Sequence, residues 1–400
     1  MKPLRVAGLF AGIGGLELGL SQVGYHTVLL CENAPAAQAV LATHFATAPL
    51  VGSVEDLREL PDVDVLTAGF PCKSASSSGP KSGIHGPHTR LVEHVFRLLE
   101  RSDPAWVLLE NVPFLLSLKG GDGMAHLTQS LERLGFHWAY RVVEAQAFGL
   151  PQRRSRLLIL ASRRHDPRTV LFADDEPTPS PPPHPTSFGF YWTEGRTGGR
   201  EASDVVPTIK CGSGLNIASQ PAVWVPDTGE IGKLDIRDGE RLQGFPVNWT
   251  LPGVMAEDGK ANVRWRLVGN AVCVPMATWI GARLRQPGPY DARGDKAVKV
   301  GARWPQVAYG TAYGTLTTTY GATQHVVMSV PRTMYPVSVP LIPLLDFLRF
   351  PLEPLSAKAT AGFLSRASRG SLRFDREFLG ALKAHLARMQ ALPAKLLRRP

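Results

Sequence analysis

Cysteine is scarce in this sequence, and long apolar runs are missing from it. The four cysteines, Cys31, Cys72, Cys211 and Cys273, are far apart and form no Cys-x-x-Cys pair, so neither a zinc site nor a disulfide framework is predicted. No apolar run reaches the length of about 20 residues that a membrane span requires, and the first residues carry no signal-peptide pattern. These absences predict a soluble cytosolic protein with no metal site and no membrane partner.

Acidic residues are outnumbered by basic ones. The chain has 44 Lys and Arg against 34 Asp and Glu, which gives a formal net charge of +10 and a pI near 9.6. This charge suits a polyanionic partner, although many basic proteins bind no nucleic acid. The 400 residues, 44% of them hydrophobic, can bury a large core and predict two or three domains.

A glycine-rich turn comes early in the chain. Phe10-Ala11-Gly12-Ile13-Gly14-Gly15 separates a strand predicted over residues 5–10 from a helix predicted over 16–23. Glycines at such a turn let the backbone approach a ligand at the helix amino terminus, where N–H groups are unpaired. The next predicted strand, 27–31, ends at Glu32, a spacing at which a carboxylate can accept the hydroxyls of a ribose. The pattern predicts a nucleotide-like cofactor and fits adenosylmethionine better than a dinucleotide; a tight packing turn is the alternative.

Strand-like and helix-like segments alternate through the first 164 residues. Because alternation of this kind is typical of a parallel sheet covered by helices, we predict an α/β fold with a doubly wound sheet. The further predicted strands are 51–54, 64–67, 105–112, 138–143 and 156–161.

Polar or reactive side chains follow three of these strands: Cys72 after Gly69-Phe70-Pro71, the pair Glu110-Asn111, and Glu32. Because the carboxyl ends of parallel strands meet at one rim of a sheet, we expect these groups to lie near one another. A cysteine that begins a Gly- and Ser-rich loop becomes a nucleophile when nearby positive charge lowers its pKa, whereas a cysteine in an apolar core is inert. The residues alone leave both interpretations of Cys72 open.

The composition changes along the chain and predicts four segments. Residues 1–164 form the first domain, and a proline- and glycine-rich stretch predicts a smaller, irregular domain over 165–235. Residues 236–286 return to helical patterning and complete the first domain, while the extension 287–400 has no assigned role. The helices predicted in these last two segments are 265–284 and 375–389.

Six short motifs occur in an order that is hard to obtain by chance. They are the glycine turn, Pro71-Cys72, Glu110-Asn111-Val112, Gln152-Arg153-Arg154-Ser155-Arg156, Arg241-Leu242-Gln243-Gly244-Phe245-Pro246 and Gly269-Asn270-Ala271-Val272. With them, the chain strongly resembles a bacterial-type DNA (cytosine-5)-methyltransferase over about residues 4–285. The resemblance implies a Rossmann-like AdoMet-dependent methyltransferase domain with a smaller target-recognition domain at 165–235, beside the carboxyl-terminal extension.

The resemblance also implies a catalytic set. Cys72 would be the thiolate that adds to carbon 6 of cytosine and makes carbon 5 nucleophilic. Glu110 would share or donate a proton at the ring nitrogen N3, and Asn111 would hold the loop around Cys72. Arg154 and Arg156 would supply fixed positive charge near the thiolate and the cytosine carbonyl oxygen.

The implied cofactor is S-adenosyl-L-methionine and the implied substrate is double-stranded DNA, from which the target cytosine must rotate out of the stack. Residues 76–86 resemble the closing loop of the family, with a plain linker as the alternative. The residues expected to bind the cofactor are Phe10, Gly12, Gly14, Gly15, Glu32, Val54, Pro71, Asn270 and Val272. The residues expected to contact DNA are Lys73, Ser76 and Ser78.

Two positions depart from the family pattern. Where the family often has Gly-Asp-Ile, this chain has Gly52-Ser53-Val54, so Ser53 or Asp56 must replace a carboxylate that accepts the adenine amino group, or binding is weaker. Where the family often has Gln after the cysteine, Lys73 is present and could hold a phosphate.

Several functions stay open on the sequence. The leading hypothesis is a sequence-specific DNA methyltransferase, monomeric on DNA, whose partner is a cognate restriction endonuclease or a defence complex, and which associates with the bacterial nucleoid when active. The same chemistry on tRNA is one alternative, against which the proline-rich insert and the extension argue. A non-catalytic DNA-binding regulator is another, and a nicotinamide-dependent dehydrogenase would leave Pro71-Cys72 without a purpose.

Overall fold

The computed structural model describes residues 3–71, 90–196, 199–213, 220–257, 259–260, 262–299, 301–310, 316–317, 323–324 and 326–392. Cys72, Lys73, Ser76 and Ser78 therefore lie outside the described residues. The helices are α1 Gly15–Ser21, α2 Pro35–His44, α3 Arg90–Leu99, α4 Asp122–Arg133, α5 Arg168–Leu171, α6 Ile236–Arg241, α7 Pro252–Met255, α8 Asn262–Asn270, α9 Val274–Arg285, α10 Leu344–Phe347, α11 Ala357–Ser368 and α12 Arg376–Ala391. Short 3₁₀ helices span Pro113–Gly121 and Ala145–Ala147.

The strands are mostly short outside the first 162 residues. They are β1 Leu4–Leu9, β2 Tyr25–Cys31, β3 Leu50–Val51, β4 Val65–Ala68, β5 Trp106–Asn111, β6 His137–Glu144, β7 Ser155–Ser162, β8 Phe188–Phe190, β9 Ala202–Ser203, β10 Ala222–Val225, β11 Glu230–Lys233, β12 Lys296–Ala297, β13 Val307–Gly310, β14 Leu316–Thr317, β15 Thr323–Gln324, β16 Val327–Ser329 and β17 Glu353–Pro354.

The chain divides into two compact units. The first unit comprises Met1–Phe148, Ser155–Thr178 and Ala271–Val339, and the second comprises Gly149–Arg154, Pro179–Asn270 and Pro340–Pro400. Residues 287–400 are thus shared between the units and do not form a separate body. The target-recognition role predicted for 165–235 remains a prediction.

The first unit is built on a ten-stranded mixed sheet in the order β12-β16-β13-β6-β7-β5-β4-β1-β2-β3. Strands β1 to β5 are parallel to one another, while β7 runs antiparallel to both of its neighbours, β5 and β6. The chain leaves β1 toward β2 and β3 on one side and returns through β4 and β5 on the other. The carboxyl ends of β1 and β4 therefore meet at the switch point where ligands bind in open α/β sheets.

Apolar sequence explains why the central strands form where they do. Every residue of β4 and β5 is buried, as expected for parallel strands that helices cover on both faces. Burial of one such side chain stabilises the fold by about 1.5–3 kcal/mol. The rim residues at the ends of these strands are therefore held on a rigid support.

The second unit contains a five-stranded sheet in the order β17-β11-β10-β8-β9. Its aromatic core joins Phe190 of β8 to the carboxyl-terminal helices, with ring centroids 5.3 Å from Phe363 and 5.0 Å from Phe378. Asp375 caps α12 by accepting hydrogen bonds from the Glu377 and Phe378 backbone N–H groups. The stretch predicted to be irregular thus contributes strands to a sheet that the carboxyl-terminal segment completes.

The predicted helix at 265–284 is interrupted. The structure has α8 and α9 there, and α9 begins at Val274 with proline in its first turn, a favourable position for that residue. Contrary to the sequence expectation, Asn262–Arg285 does reach the length and apolarity of a membrane span. However, 72% of its apolar window is buried in the protein, and core helices of soluble proteins give the same signal.

Candidate active site

The glycine turn between β1 and α1 adopts a backbone that most side chains would disfavour. Phe10, Gly12 and Gly14 have φ values of 53°, 58° and 80°. For Phe10, which is not glycine, this left-handed conformation costs of order 1–2 kcal/mol and is typical of functional sites. A Cβ atom on Gly14 would lie 2.4 Å from Phe45 Cε2, so both the conformation and the available space require glycine there.

The Gly14→Ala variant is expected to lose the shape of this turn and with it at least about tenfold in affinity for S-adenosyl-L-methionine, the cofactor predicted from the sequence, because the new methyl group overlaps Phe45. Gly135→Ala is the matched control, since Gly135 has φ of 78° but nothing within 4 Å of its Cβ position. The control should cost about 1 kcal/mol of stability and leave affinity unchanged. Isothermal titration of both variants measures the difference, and equal affinities would contradict a cofactor role for the turn.

Glu32 follows β2 and joins the turn directly. Its Oε2 atom accepts a hydrogen bond of 2.8 Å from Gly12 N, and its Oε1 accepts one of 2.9 Å from Ala34 N. The Gln38 side chain donates to the Glu32 carbonyl oxygen at 2.6 Å. The carboxylate is therefore held in one orientation and keeps lone pairs that can accept further hydrogen bonds.

The ends of β1, β4 and β5 meet beside this turn. Gly69 N donates to the Leu9 carbonyl oxygen at 3.3 Å, and a Cβ atom on Gly69 would lie 3.6 Å from both the Phe10 carbonyl oxygen and Glu110 Oε2. The backbone before Pro71 thus lies between the Phe10 carbonyl oxygen and the Glu110 carboxylate. The ends of β1, β4 and β5 thus lie close together, whereas the predicted place of Cys72 beside them falls outside the described residues.

Glu110 and Asn111 are buried at the end of β5, 8% and 3% exposed. Glu110 Oε1 forms an ion pair of 2.8 Å with Arg156 Nε from the adjacent strand β7. Asn111 Nδ2 donates to the Phe70 carbonyl oxygen at 3.2 Å and so holds the backbone two residues before Cys72. The role of Asn111 in holding the loop around Cys72 stays a prediction.

Arg154 and Asn270 belong to the second unit. Arg154 is fully buried and donates to the carbonyl oxygens of Ile209, at 2.9 Å, and Gly269, at 3.0 Å. These bonds brace the motifs within that unit, together with the bond from Gln152 Nε2 to the Leu242 carbonyl oxygen. Asn270 is exposed at the end of α8. Their catalytic and cofactor-binding roles stay predictions.

The remaining cofactor candidates lie in the first unit. Gly15 begins α1, Val54 is buried and Pro71 is half-buried. Val272 is buried two residues before Val274, whose carbonyl oxygen packs against Gly19 of α1.

Ser53 and Asp56 lie in the turn after β3. Ser53 Oγ accepts a hydrogen bond of 3.2 Å from Glu55 N, and Asp56 is exposed. Asp56 thus keeps its carboxylate available to solvent or a ligand, whereas the Ser53 hydroxyl already supports the turn.

The three described cysteines differ in environment from one another. Burial, followed by the nearby carboxylates of Glu32 and Asp56, raises the pKa of the Cys31 thiol to about 12. Cys273 is also buried, whereas Cys211 is exposed. Cys31 and Cys273 are therefore structural thiols, and Cys211 provides an exposed control for experiments on Cys72.

The sequence motifs did not indicate Glu17 and Gln38. The side chain of Glu17 accepts a hydrogen bond from Thr67, and that of Gln38 donates one to the Glu32 carbonyl oxygen. Glu17, in the first turn of α1, is 1% exposed and accepts a hydrogen bond of 2.7 Å from Thr67 Oγ1 of β4. A glutamate between Leu16 and Leu18 in an apolar helix could have indicated a buried carboxyl group. Gly8, a glycine inside the strand β1, could have indicated that another group, here the Glu17 side chain, packs closely against its Cα atom.

Comparison with known proteins agrees with this geometry. The family model described as C-5 cytosine-specific DNA methylase matches residues 4–188. Type II methyltransferase M2.BsuMI of Bacillus subtilis is 43% identical over 95% of this chain and 97% of its own. Type II methyltransferase M.BsuFI, also of Bacillus subtilis, is 29% identical over 70% of this chain and 71% of its own.

Solved structures support the fold. The crystal structure of S. pombe Dnmt2 methyltransferase superposes with a TM-score of 0.51 at 16% identity, covering 70% of this chain and 98% of that one. The predicted Rossmann-like methyltransferase fold is confirmed by this similarity and by the mixed sheet, in which β1 to β5 are parallel to one another. Since the similarity to the M2.BsuMI enzyme extends along nearly the entire chain, the predicted resemblance is confirmed, and the protein belongs to the C-5 cytosine-specific DNA methylases, as a DNA (cytosine-5)-methyltransferase.

Proposed function

We propose that this enzyme transfers a methyl group from S-adenosyl-L-methionine to carbon 5 of a cytosine that is flipped out of a specific double-stranded DNA sequence. The reaction passes through a covalent bond between Cys72 and carbon 6, and the enzyme serves as the modification partner in a type II restriction-modification system. The observation that carries the proposal is the meeting of the glycine turn, Gly69 and the buried Glu110–Arg156 pair at one rim of the sheet.

The residues at the turn fit the adenosyl cofactor. The Glu32 carboxylate, fixed by Gly12 and Ala34, can accept hydrogen bonds from two ribose hydroxyls. No described atom outside the neighbouring residues of the chain lies within 4 Å of the Cβ position of Gly12, which leaves space for the methionine part, and the half-buried Phe10 ring offers an apolar face for adenine. When bound, the cofactor supplies an electrophilic methyl group on a sulfonium sulfur.

The protein residues activate the cytosine. The Cys72 thiolate adds to carbon 6, the ring electrons move toward carbon 5, and Glu110 donates a proton to N3 as negative charge develops there. After carbon 5 is methylated, water or a side chain removes its proton, and N3 returns its proton to Glu110. The bond between carbon 6 and sulfur then breaks, and Cys72 leaves as a thiolate. Arg156, paired with Glu110, orients that carboxyl group and adds positive charge beside the ring.

DNA reaches this site with the target base extruded, at a cost of a few kcal/mol. Lys73, Ser76 and Ser78 follow Cys72 directly in sequence, so we propose that they contact the DNA backbone or the space vacated by the base. Asn111, bonded to the Phe70 carbonyl oxygen, anchors the start of this segment. Double-stranded DNA in the bacterial cytoplasm and nucleoid is the corresponding substrate.

Sequence recognition is proposed for the second unit. It contains a cavity of about 740 Å³ whose lining includes Arg153, His184, Arg200 and Trp224. Arg200 is paired with Glu201 at 3.1 Å, whereas Arg153 is exposed. Arginine and histidine side chains on an open wall can contact phosphates and base edges.

The Arg153→Ala variant is expected to weaken DNA binding and to reduce the slope of log affinity against log salt by about one, because one phosphate contact is lost. Arg373→Ala is the control, since Arg373 is an exposed arginine of the same unit outside the cavity lining. Fluorescence anisotropy with duplex DNA over a range of salt concentrations measures both. An unchanged slope for Arg153→Ala would show that Arg153 contacts no phosphate and would contradict DNA binding at this cavity.

The proposed function is tested by transfer of tritiated methyl from adenosylmethionine. Unmethylated plasmid DNA and tRNA are offered separately, and the products are digested and separated as nucleosides. We expect 5-methyldeoxycytidine from the plasmid, with bisulfite sequencing identifying one methylated motif. Label in tRNA but not in DNA would favour the tRNA enzyme, and label in neither, with DNA binding intact, would favour the non-catalytic regulator.

A further inference from the structure

A buried carboxyl group lies beneath the cofactor turn and has no part in the reaction described above. Glu17 is 1% exposed, and its Oε2 atom has no hydrogen-bond partner among the residues that the structure describes. Burying a polar atom without a hydrogen-bond partner destabilises the folded chain, so a glutamate at this position calls for an explanation. Glu17 lies two residues after Gly15, the first residue of α1.

The carboxyl group of Glu17 contacts two strands whose ends form the active-site rim. Oε1 accepts the 2.7 Å hydrogen bond from Thr67 Oγ1, and Thr67 precedes Gly69 by two residues on β4. A Cβ atom on Gly8 of β1 would lie 2.3 Å from Oε1, so the carboxyl group occupies the space that a side chain at Gly8 would fill. Gly8 in turn precedes the strained Phe10 by two residues.

We propose that Glu17 is a positioning residue that fixes the glycine turn against the strand leading to Pro71-Cys72 and thereby supports cofactor binding. It acts by filling the gap beside Gly8 and bridging α1 to Thr67. The inference rests on the proposed use of S-adenosyl-L-methionine. It concerns a group that touches neither the cofactor nor the cytosine.

The surroundings favour the neutral form of this group. Burial raises the pKa of Glu17 above its ordinary value, hydrogen bonds from Thr67 and from its own backbone N–H lower it in part, and the nearby Glu32 carboxylate raises it slightly. The charged groups on the other packed elements have partners elsewhere: Arg283 of α9 pairs with Asp174, and Arg285 lies over the Tyr25 ring.

The raised pKa of Glu17 determines how the stability of the folded chain changes with pH. Since the pKa of Glu17 is higher in the folded chain than in the unfolded chain, the folded state binds the proton more tightly. The stabilisation is fully present below the unfolded pKa and is lost as pH rises through the folded pKa. Above that point an uncompensated anion beneath the turn repels Glu32, and cofactor affinity falls.

The test compares Glu17→Gln, Glu17→Ala and Thr67→Val with the unaltered enzyme in titrations of S-adenosyl-L-methionine from pH 6 to 9. Glutamine keeps the shape and the acceptor oxygen but does not ionise. We expect Glu17→Ala to bind about tenfold more weakly, the equivalent of one lost hydrogen bond. Glu17→Gln should match the unaltered enzyme wherever Glu17 is protonated and show a flatter pH profile.

Thr128→Val controls for the loss of a buried threonine hydroxyl, because Thr128 bonds only to backbone carbonyl oxygens within α4 in the described contacts. It should lower stability slightly and leave affinity and its pH profile unchanged. If Glu17→Ala kept full affinity with the unaltered pH profile, or if Glu17→Gln were as damaging as Glu17→Ala, the inference would be overturned.

A cofactor-free measurement separates this inference from the proposed function. Hydrogen–deuterium exchange without ligand should be faster in Glu17→Ala at residues 8–15 and 65–69 and unchanged there in Glu17→Gln. If the unaltered enzyme bound no adenosylmethionine, the proposed cofactor would be wrong, while exchange would still decide the role of Glu17. Exchange that rises equally throughout the first unit would show only general destabilisation and contradict a positioning role.

Discussion

The Cys72→Ala variant is expected to lose methyl transfer by at least about 10³-fold, because without a thiolate adding to carbon 6 the carbon 5 position of cytosine is a poor nucleophile. Binding of S-adenosyl-L-methionine should stay within about twofold, since the turn that is proposed to hold the cofactor lies on β1 and α1. Tritium transfer to plasmid DNA and calorimetric titration of the cofactor measure the two effects separately.

Cys211→Ser is the matched control for this change. Cys211 is exposed, so the substitution removes an accessible thiol without opening a cavity in the core. Its activity should equal that of the unaltered enzyme. Normal turnover by Cys72→Ala would place the nucleophile elsewhere and refute the mechanism.

Glu110→Gln is expected to lower kcat by about 10²–10⁴-fold, the usual contribution of a positioned proton donor, with little change in KM for the cofactor. Glutamine keeps an oxygen that can accept the hydrogen bond from Arg156 Nε, now 2.8 Å from Glu110 Oε1, so the fold should be retained. What the variant lacks is the proton that the carboxyl group shares with N3 of cytosine. Single-turnover kinetics separate this chemical step from DNA binding and product release.

Glu59→Gln serves as the control for Glu110→Gln. Glu59 is an exposed glutamate of the same unit, so removing its charge should change neither kcat nor the melting temperature. If Glu110→Gln retained kcat while Arg156→Gln lost stability, Glu110 would be a structural partner of Arg156 and not the proton donor.

The central sheet could be predicted because its strands are apolar and buried. Predicted strands 105–112 and 138–143 correspond to Trp106–Asn111 and His137–Glu144 within about two residues. The order of the strands within the sheet was harder to predict from the sequence. The pairing of Val307 with Arg141, for example, joins residues far apart in sequence, and no local pattern encodes such a partner.

The second unit was harder to predict for a different reason. Its strands Phe188–Phe190, Ala202–Ser203 and Ala222–Val225 have only two to four residues, too few for a period-two pattern to appear. Proline between them suggested irregular structure. The strands are stabilised by aromatic contacts to Phe363 and Phe378, which come from the carboxyl-terminal helices.

At the site, residue identities were predictable and their supporting contacts were not. Glu32 could be assigned to a ligand role from its place after a strand, but its bond to Gly12 N depends on the left-handed backbone of the turn. Arg154 was assigned a catalytic role from its motif, whereas its guanidinium group donates to the carbonyl oxygens of Ile209 and Gly269. Such bonds depend on tertiary packing, which a linear motif does not specify.

The covalent bond to Cys72 is the central claim, and trapping tests it most directly. Duplex DNA in which every cytosine carries fluorine at carbon 5 offers each possible motif, and fluorine in place of the departing proton blocks release of the enzyme. With S-adenosyl-L-methionine present, a stable protein–DNA adduct should form, and peptide mapping should locate it at Cys72. The adduct should persist in Cys211→Ser and be absent in Cys72→Ala. Methylation of ordinary DNA without any trapped adduct on the fluorinated duplex, or an adduct at another residue, would contradict the account.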